Sequence, residues 1–229
     1  MESYRLARKQ GAFIFWNHPN WTRHQKDGLP RLTKMHQQLI KEDLLHGIEV
    51  VNDLTFSEGA LQIANNNGLT VMGTSDIHGL VDYQYEIASG GHRPICLVFA
   101  KECSQEAIKE ALFAGRTVTW FNEILAGKKE PLKMLMDASL NFKNLGYITD
   151  TEVMEIEINN TSDARFFLQN TSLFDFHKNT GIIEVLPHSQ KTLQLLMARN
   201  NIRNTKLTFT VLNAVQGHKD YYKLEVPLN

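Results

Sequence analysis

From residue 12 onward the chain sets short, continuous apolar runs against longer amphipathic stretches. Residues 12–16 (Ala-Phe-Ile-Phe-Trp) are the first such run, which predicts a buried parallel strand. A polar segment carrying Trp21, His24 and Pro30 follows, then a helical pattern over 32–45. Gly47-Ile-Glu-Val-Val-Asn52 predicts the next strand. Residues 57–66 read as a helix with Ser57 as N-cap and Gly68 as its stop, and 69–72 as a strand. Strand, helix, strand, helix, strand at this spacing predicts a parallel sheet joined by right-handed crossovers. A loop containing Gly90, Gly91 and Pro94 leads to a strand over 95–100. Ser104 then caps a helix over 105–114 that Gly115 stops, and a strand over 117–121 closes this half. The first residues are charged and helix-forming and end at Gly11, so they read as the last turns of a helix that packs on something.

After about residue 130 the period changes to two. Met154, Ile156 and Ile158 alternate with Glu155, Glu157 and Asn159. Phe166 with Leu168, Leu193 with Leu195 and Met197, Leu207 with Phe209 and Val211, and Leu224 with Val226 repeat the pattern. Asn-Asn-Thr-Ser, Lys-Asn-Thr-Gly and Pro-His-Ser-Gln supply turn chemistry between them. Amphipathic strands without intervening helices predict an all-β, immunoglobulin-like sandwich. The expected organisation is an α/β domain over 1–127, a linker or helical connection over 128–150, and a β-sandwich domain over 151–229.

Composition changes this picture little. The 229 residues are 42% hydrophobic and 21% charged with a net charge of −1, an ordinary globular balance. No basic tract draws nucleic acid or an anionic membrane, and no apolar run is long enough to span a bilayer. The opening residues hold no signal-peptide core, so a cytoplasmic location is expected; secretion stays open, because the natural N-terminus could lie upstream. Cys96 and Cys103 form no CxxC pair and fit no zinc-ribbon spacing. They read as one buried thiol and one incidental thiol.

Chemistry-bearing residues gather just past the predicted strands. Asn17-His18-Pro19 follows the first, and proline restricts its predecessor to extended conformations, which would fix the direction of the His18 imidazole. The bland alternative is a loop histidine stacked on Trp16 or Trp21. Gly73-Thr-Ser-Asp-Ile-His-Gly79 follows the third strand. Residues two apart in an extended or turning segment point the same way, so Asp76 and His78 can meet one cation. A carboxylate beside an imidazole suits Zn, Mn or Fe. The competing reading is that Ser75 or Asp76 merely caps a helix.

Glu49 lies on the strand between these two. If Val50 faces the core, Glu49 is directed either toward the site or against a helix lysine. Asn17, Glu49, Asn52 and Ser75 are candidates to orient a ligand or a substrate oxygen, as metal ligands usually lean on such groups. His24, Arg23 and Lys26, and further on His92 and Arg93, could bind an anionic group or simply face solvent. His36 and His46 read as structural, and His177, His188 and His218 as surface residues of the sandwich.

Phe13-Ile-Phe-Trp-Asn-His-Pro19, Gly47-Ile-Glu-Val-Val-Asn52 and Gly73-Thr-Ser-Asp-Ile-His78 together resemble the PHP family, the polymerase and histidinol phosphatase metal-dependent phosphoesterases. More narrowly, they look like bacterial phosphodiesterase-type members with a small β domain behind the PHP domain. The resemblance covers roughly residues 1–127. It implies a distorted (β/α)7 barrel with a transition-metal cluster (Zn, Mn or Fe) at the C-terminal ends of its strands, and His18, Asp76 and His78 among the ligands. It implies hydrolysis of a phosphodiester or phosphomonoester by metal-bound hydroxide, with a small phosphate ester as substrate. The chain departs from the family in lacking the opening His-x-His motif and the ligands that follow it, and Glu49 does not match the bridging glutamate. Three ligands can hold one open-site metal but cannot bridge a cluster. The expectation is therefore the C-terminal part of a PHP barrel, impaired in catalysis and holding a single ion. It would pair with an N-terminal PHP half or with a second copy of itself. The alternatives are a non-catalytic partial barrel and β-sandwich interaction module, and a hydrolase of another barrel class such as an amidohydrolase.

Overall fold

The computed structural model describes residues 1–197 and 205–228. They fall into two units, one of residues 1–132 with 215–220, the other of 133–214 with 221–229.

The first unit is built on one buried strand. β2 (Gly47–Asn52) is buried from Gly47 to Val51, as expected of an apolar run with neighbours on both edges. β1 (Phe15–Trp16) and β4 (Thr70–Thr74) flank it, both parallel to it, and β3 (Thr55–Phe56) folds back antiparallel on its end. β1 is shorter and more exposed than the sequence suggests, two half-buried residues rather than a fully buried run over 12–16. Its pairing to β2 alone among the described residues accounts for that.

Helix α2 (Lys34–Lys41) is capped by Thr33, so the helical pattern over 32–45 is realised only in its middle. Helix α3 (Glu58–Asn67) begins at the Ser57 cap and stops at Gly68 in the left-handed conformation. The N-terminal helix α1 (Glu2–Lys9) buries no residue. Arg5 and Arg8 tie it to Glu42 at 2.7 Å and Asp43 at 2.5 Å.

Beyond β4 come a short helix α4 (Val81–Gln84), β5 (Ile95–Val98), helix α5 (Gln105–Phe113), β6 (Thr117–Phe121) and β7 (Ile124–Gly127). The predicted parallel order holds for β1, β2 and β4, whereas β5, β6 and β7 run antiparallel in succession. The Thr117 hydroxyl joins the two groups of strands by donating to the Val71 carbonyl at 2.7 Å. Gly73 is required at the same contact, because a Cβ there would sit 1.8 Å from Thr119 Oγ1. Cys96 is half-buried and Cys103 exposed, both as free thiols.

The second unit is the sandwich that the alternation predicts. β8 (Leu140–Tyr147), β9 (Val153–Asn160), β13 (Ser189–Leu196) and β11 (Phe176–His177) make one antiparallel sheet. β10 (Phe166–Asn170), β12 (Ile182–Val185), β14 (Lys206–Gly217) and β15 (Asp220–Pro227) belong to the other. Phe209 of β14 stacks with Phe142 and Phe176 of the facing sheet at 6.1 and 6.4 Å. Every inward position named from the period of two is buried. The stretch 128–150, read above as a connection, holds helix α6 (Lys129–Ser139) and the whole of β8. Seven residues of β8 pair with β9, as Leu140 and Phe142 continue the same inward face. His177 and His188 are exposed on this unit. His218, by contrast, lies in 215–220 with the first unit and meets Glu58 at 2.5 Å.

Candidate functional site

The three parallel strands β1, β2 and β4 end on the same side, and the loops leaving those ends carry His18, Asp53 and Asp76. Open α/β sheets bind ligands at such C-terminal edges. All three residues adopt positive φ, at 52°, 49° and 46°. Left-handed backbone at non-glycine residues is uncommon and clusters at functional sites. For His18 this corrects the sequence expectation, since proline at 19 should have kept it extended.

Glu49 explains how His18 is held. Its side chain is only 2% exposed, so its carboxylate needs hydrogen-bond partners. Glu49 Oε2 accepts the His18 backbone N–H at 2.7 Å and lies 3.2 Å from His18 Nδ1, while the Thr74 hydroxyl donates to Oε1. The carboxylate lies beside Nδ1, and Nε2 is the ring nitrogen turned toward Asp76. The register of β2 against β4 shifts between Glu49 and Val51, a bulge that turns Glu49 toward the strand ends. Of the two directions open to Glu49 in the sequence, the structure takes the one toward the site.

His18 Nε2 faces Asp76 Oδ1 at 4.0 Å, and His78 Nε2 lies 3.5 Å from the same oxygen. Neither Ser75 nor Asp76 caps a helix: α4 starts after Leu80 without a side-chain cap. The Asp76 turn is fastened from below instead. Tyr85, 6% exposed, directs its hydroxyl at the Ser75 carbonyl at 2.5 Å and at Asp53 Oδ1 at 3.0 Å. Gln84 adds a hydrogen bond to Asp53 Oδ1 at 2.8 Å. Burial, with Asp53 alongside, pushes the Tyr85 hydroxyl up to about 12, so it stays a protonated donor at neutral pH. Sequence reasoning missed Asp53, Gln84 and Tyr85, which no local pattern singles out.

A cleft of about 690 Å³ opens above this floor, lined by His18, Asn52, Asp53, Asp76 and His78, with Asn20, Trp21 and Thr22 from the β1–α2 loop. The loop-histidine alternative is realised at the same time, as His18 meets Trp21 edge-on at 5.9 Å. Asn17 and His24 lie instead on a neighbouring cleft. Arg93 lines neither cleft, and its carbonyl faces His92 Nδ1 at 2.9 Å.

Among the described residues no three His, Cys, Asp or Glu side chains form a ready coordination shell. Tetrahedral zinc, with bonds of about 2.0–2.1 Å to nitrogen, places neighbouring donors about 3.3 Å apart. The His78 spacing of 3.5 Å matches that figure, and the His18 spacing of 4.0 Å is wider. The donor set of two imidazoles and a carboxylate fits one borderline cation.

Comparison with known proteins agrees with both units. A family model described as an Ig-like domain matches residues 140–227. Over the whole chain the structure is similar to a two-domain protein from Bacteroides vulgatus ATCC 8482, described as containing a predicted PHP-like metal-dependent phosphoesterase. The TM-score is 0.88 and the sequences are 30% identical. The match covers 99% of this chain and 65% of that one, so this chain spans less than two thirds of its neighbour's length. The curated proteins yield no match. Among the described residues no helix is long and apolar enough to cross a membrane.

Proposed function

We propose that the first unit is a PHP-type phosphoesterase half-site in which His18, Asp76 and His78 hold one divalent transition cation. The observation that carries this reading is the meeting of two imidazole Nε2 atoms at one Asp76 oxygen, at 4.0 and 3.5 Å, beyond the ends of parallel strands. The likeness to a protein described as a PHP-like metal-dependent phosphoesterase supports it. When bound, the cation supplies Lewis acidity to a phosphoryl oxygen.

The chain's own residues do the rest. Glu49 fixes the His18 ring direction through Nδ1. Tyr85 and Asp53 hold the Asp76 turn from beneath. Asn20 and Thr22 line the cleft and offer uncharged hydrogen-bond donors to the ester oxygens. With three donors and no bridging carboxylate, hydrolysis by this chain alone is slow. Further ligands come from a complementing PHP half or from a second copy.

The test is hydrolysis of bis(p-nitrophenyl) phosphate with added Mn²⁺ or Zn²⁺. The reading expects weak turnover that depends on added cation and disappears in His78→Ala. Turnover unchanged by chelator or by His78→Ala would overturn it. Cation-dependent hydrolysis of an amide in place of the phosphodiester would favour the amidohydrolase-type alternative.

A further inference from the structure

A second cleft of about 450 Å³ adjoins the first, and the two share His18 and Trp21. Its walls are aromatic: Trp16, Trp21, His24 and His36, with Met35 beside them. Trp16 and His36 stack at 3.9 Å with 23° between their planes. Trp21 is fixed by His18 and His24 meeting it edge-on at 5.9 and 5.1 Å and by Arg23 over its ring at 5.2 Å, yet it stays 42% exposed.

The described residues lining this cleft carry no carboxylate, ammonium or guanidinium group. His36 does not restore a charge at neutral pH. Its Nδ1 accepts the Thr33 N–H at 3.2 Å, and burial lowers its pKa from 6.5. One cleft therefore presents Asp53, Asp76 and His78, while the other is walled by aromatic rings and lined by no carboxylate, ammonium or guanidinium group. Such walls suit a planar ring, which stacks on or meets aromatic side chains edge-on. Asn17, Gln25 and Thr33 supply the few polar contacts that orient a ring.

The geometry points to the second cleft as a subsite for a planar heteroaromatic ring on the alcohol side of a phosphate ester whose phosphoryl group lies in the first. This rests on reading the first cleft as the phosphoester site. It makes esters of ring-bearing alcohols or phenols better substrates than alkyl esters. Trp21, at the junction of the two clefts, sets that preference.

Adenine, a flat ring without phosphate, probes the subsite separately from the cation site. Saturation-transfer NMR on the intact chain is expected to show saturable adenine binding, weakened about tenfold or more in Trp21→Ala and in His36→Ala. The binding is expected to persist in Asp76→Ala/His78→Ala. Methyl glucoside, a ring without a π face, is expected not to bind. Absence of adenine binding, equal binding of methyl glucoside, or binding unchanged in both aromatic variants would overturn the subsite and leave the cation site standing. Retention of adenine binding with cation binding unaltered by Asp76→Ala/His78→Ala would overturn the phosphoester reading instead.

Discussion

Two residues away from the reacting groups govern the candidate site. Glu49 spends both carboxylate oxygens on positioning, one on His18 and one on Thr74. Glu49→Gln keeps the shape but removes the charge opposite Nδ1. It is expected to weaken cation binding by about 10–100-fold, read by titration with Co²⁺. Unchanged affinity would mean that His18 needs no such support. Tyr85→Phe leaves the Ser75 carbonyl without its hydroxyl donor and is expected to cost about 1–2 kcal/mol in urea unfolding. His18, Asp76 and His78 were legible because their residue types stand immediately after apolar runs. Tyr85 and Gln84 were not, because their partners Asp53 and Ser75 lie 32 and 10 residues from Tyr85 in sequence. Only the return of α4 beneath the β4 loop brings them together.

At the scale of elements, periodicity revealed the strands but not their directions. The alternation of Met154, Ile156 and Ile158 has one structural solution, a strand with one buried face. An apolar run such as Ile95–Val98 reads the same in either direction, so its antiparallel pairing with β6 could not be read from it. Gly73 marks where β4 approaches β6. Gly73→Ala forces its Cβ against Thr119 and is expected to destabilise the fold by about 1–3 kcal/mol, measured by thermal or urea unfolding.

His46 makes the entry to β1 sensitive to acid. Its Nδ1 accepts the Ile14 N–H at 2.9 Å, and its Nε2 faces the Asp43 carbonyl at 3.1 Å. Burial lowers its pKa from 6.5, with Arg8 adding to the effect and Asp43 opposing it. The unfolded chain then binds more protons than the folded one just below pH 6.5, so stability present above that value is lost as the pH falls through it. The melting temperature is expected to drop more steeply between pH 7.5 and 5.5 in the native chain than in His46→Gln. Parallel pH profiles would contradict the assignment.

The whole molecule holds an α/β unit with a candidate cation site and a sandwich unit matched by an Ig-like domain model. The similar Bacteroides protein extends beyond this match by about a third of its length. If a second copy of this chain supplies the further ligands, light scattering is expected to show self-association. A monodisperse monomer with full turnover abolished by His78→Ala would contradict that. The sequence could place the candidate ligands on one sheet edge, but their number and spacing emerged only from the folded loops.

If His18, Asp76 and His78 bind a cation, elemental analysis of the purified chain reads it out without a substrate. About one tightly held transition metal per chain is expected, lost in Asp76→Ala/His78→Ala. Metal no higher than in that variant, or equal loading of both, would contradict it.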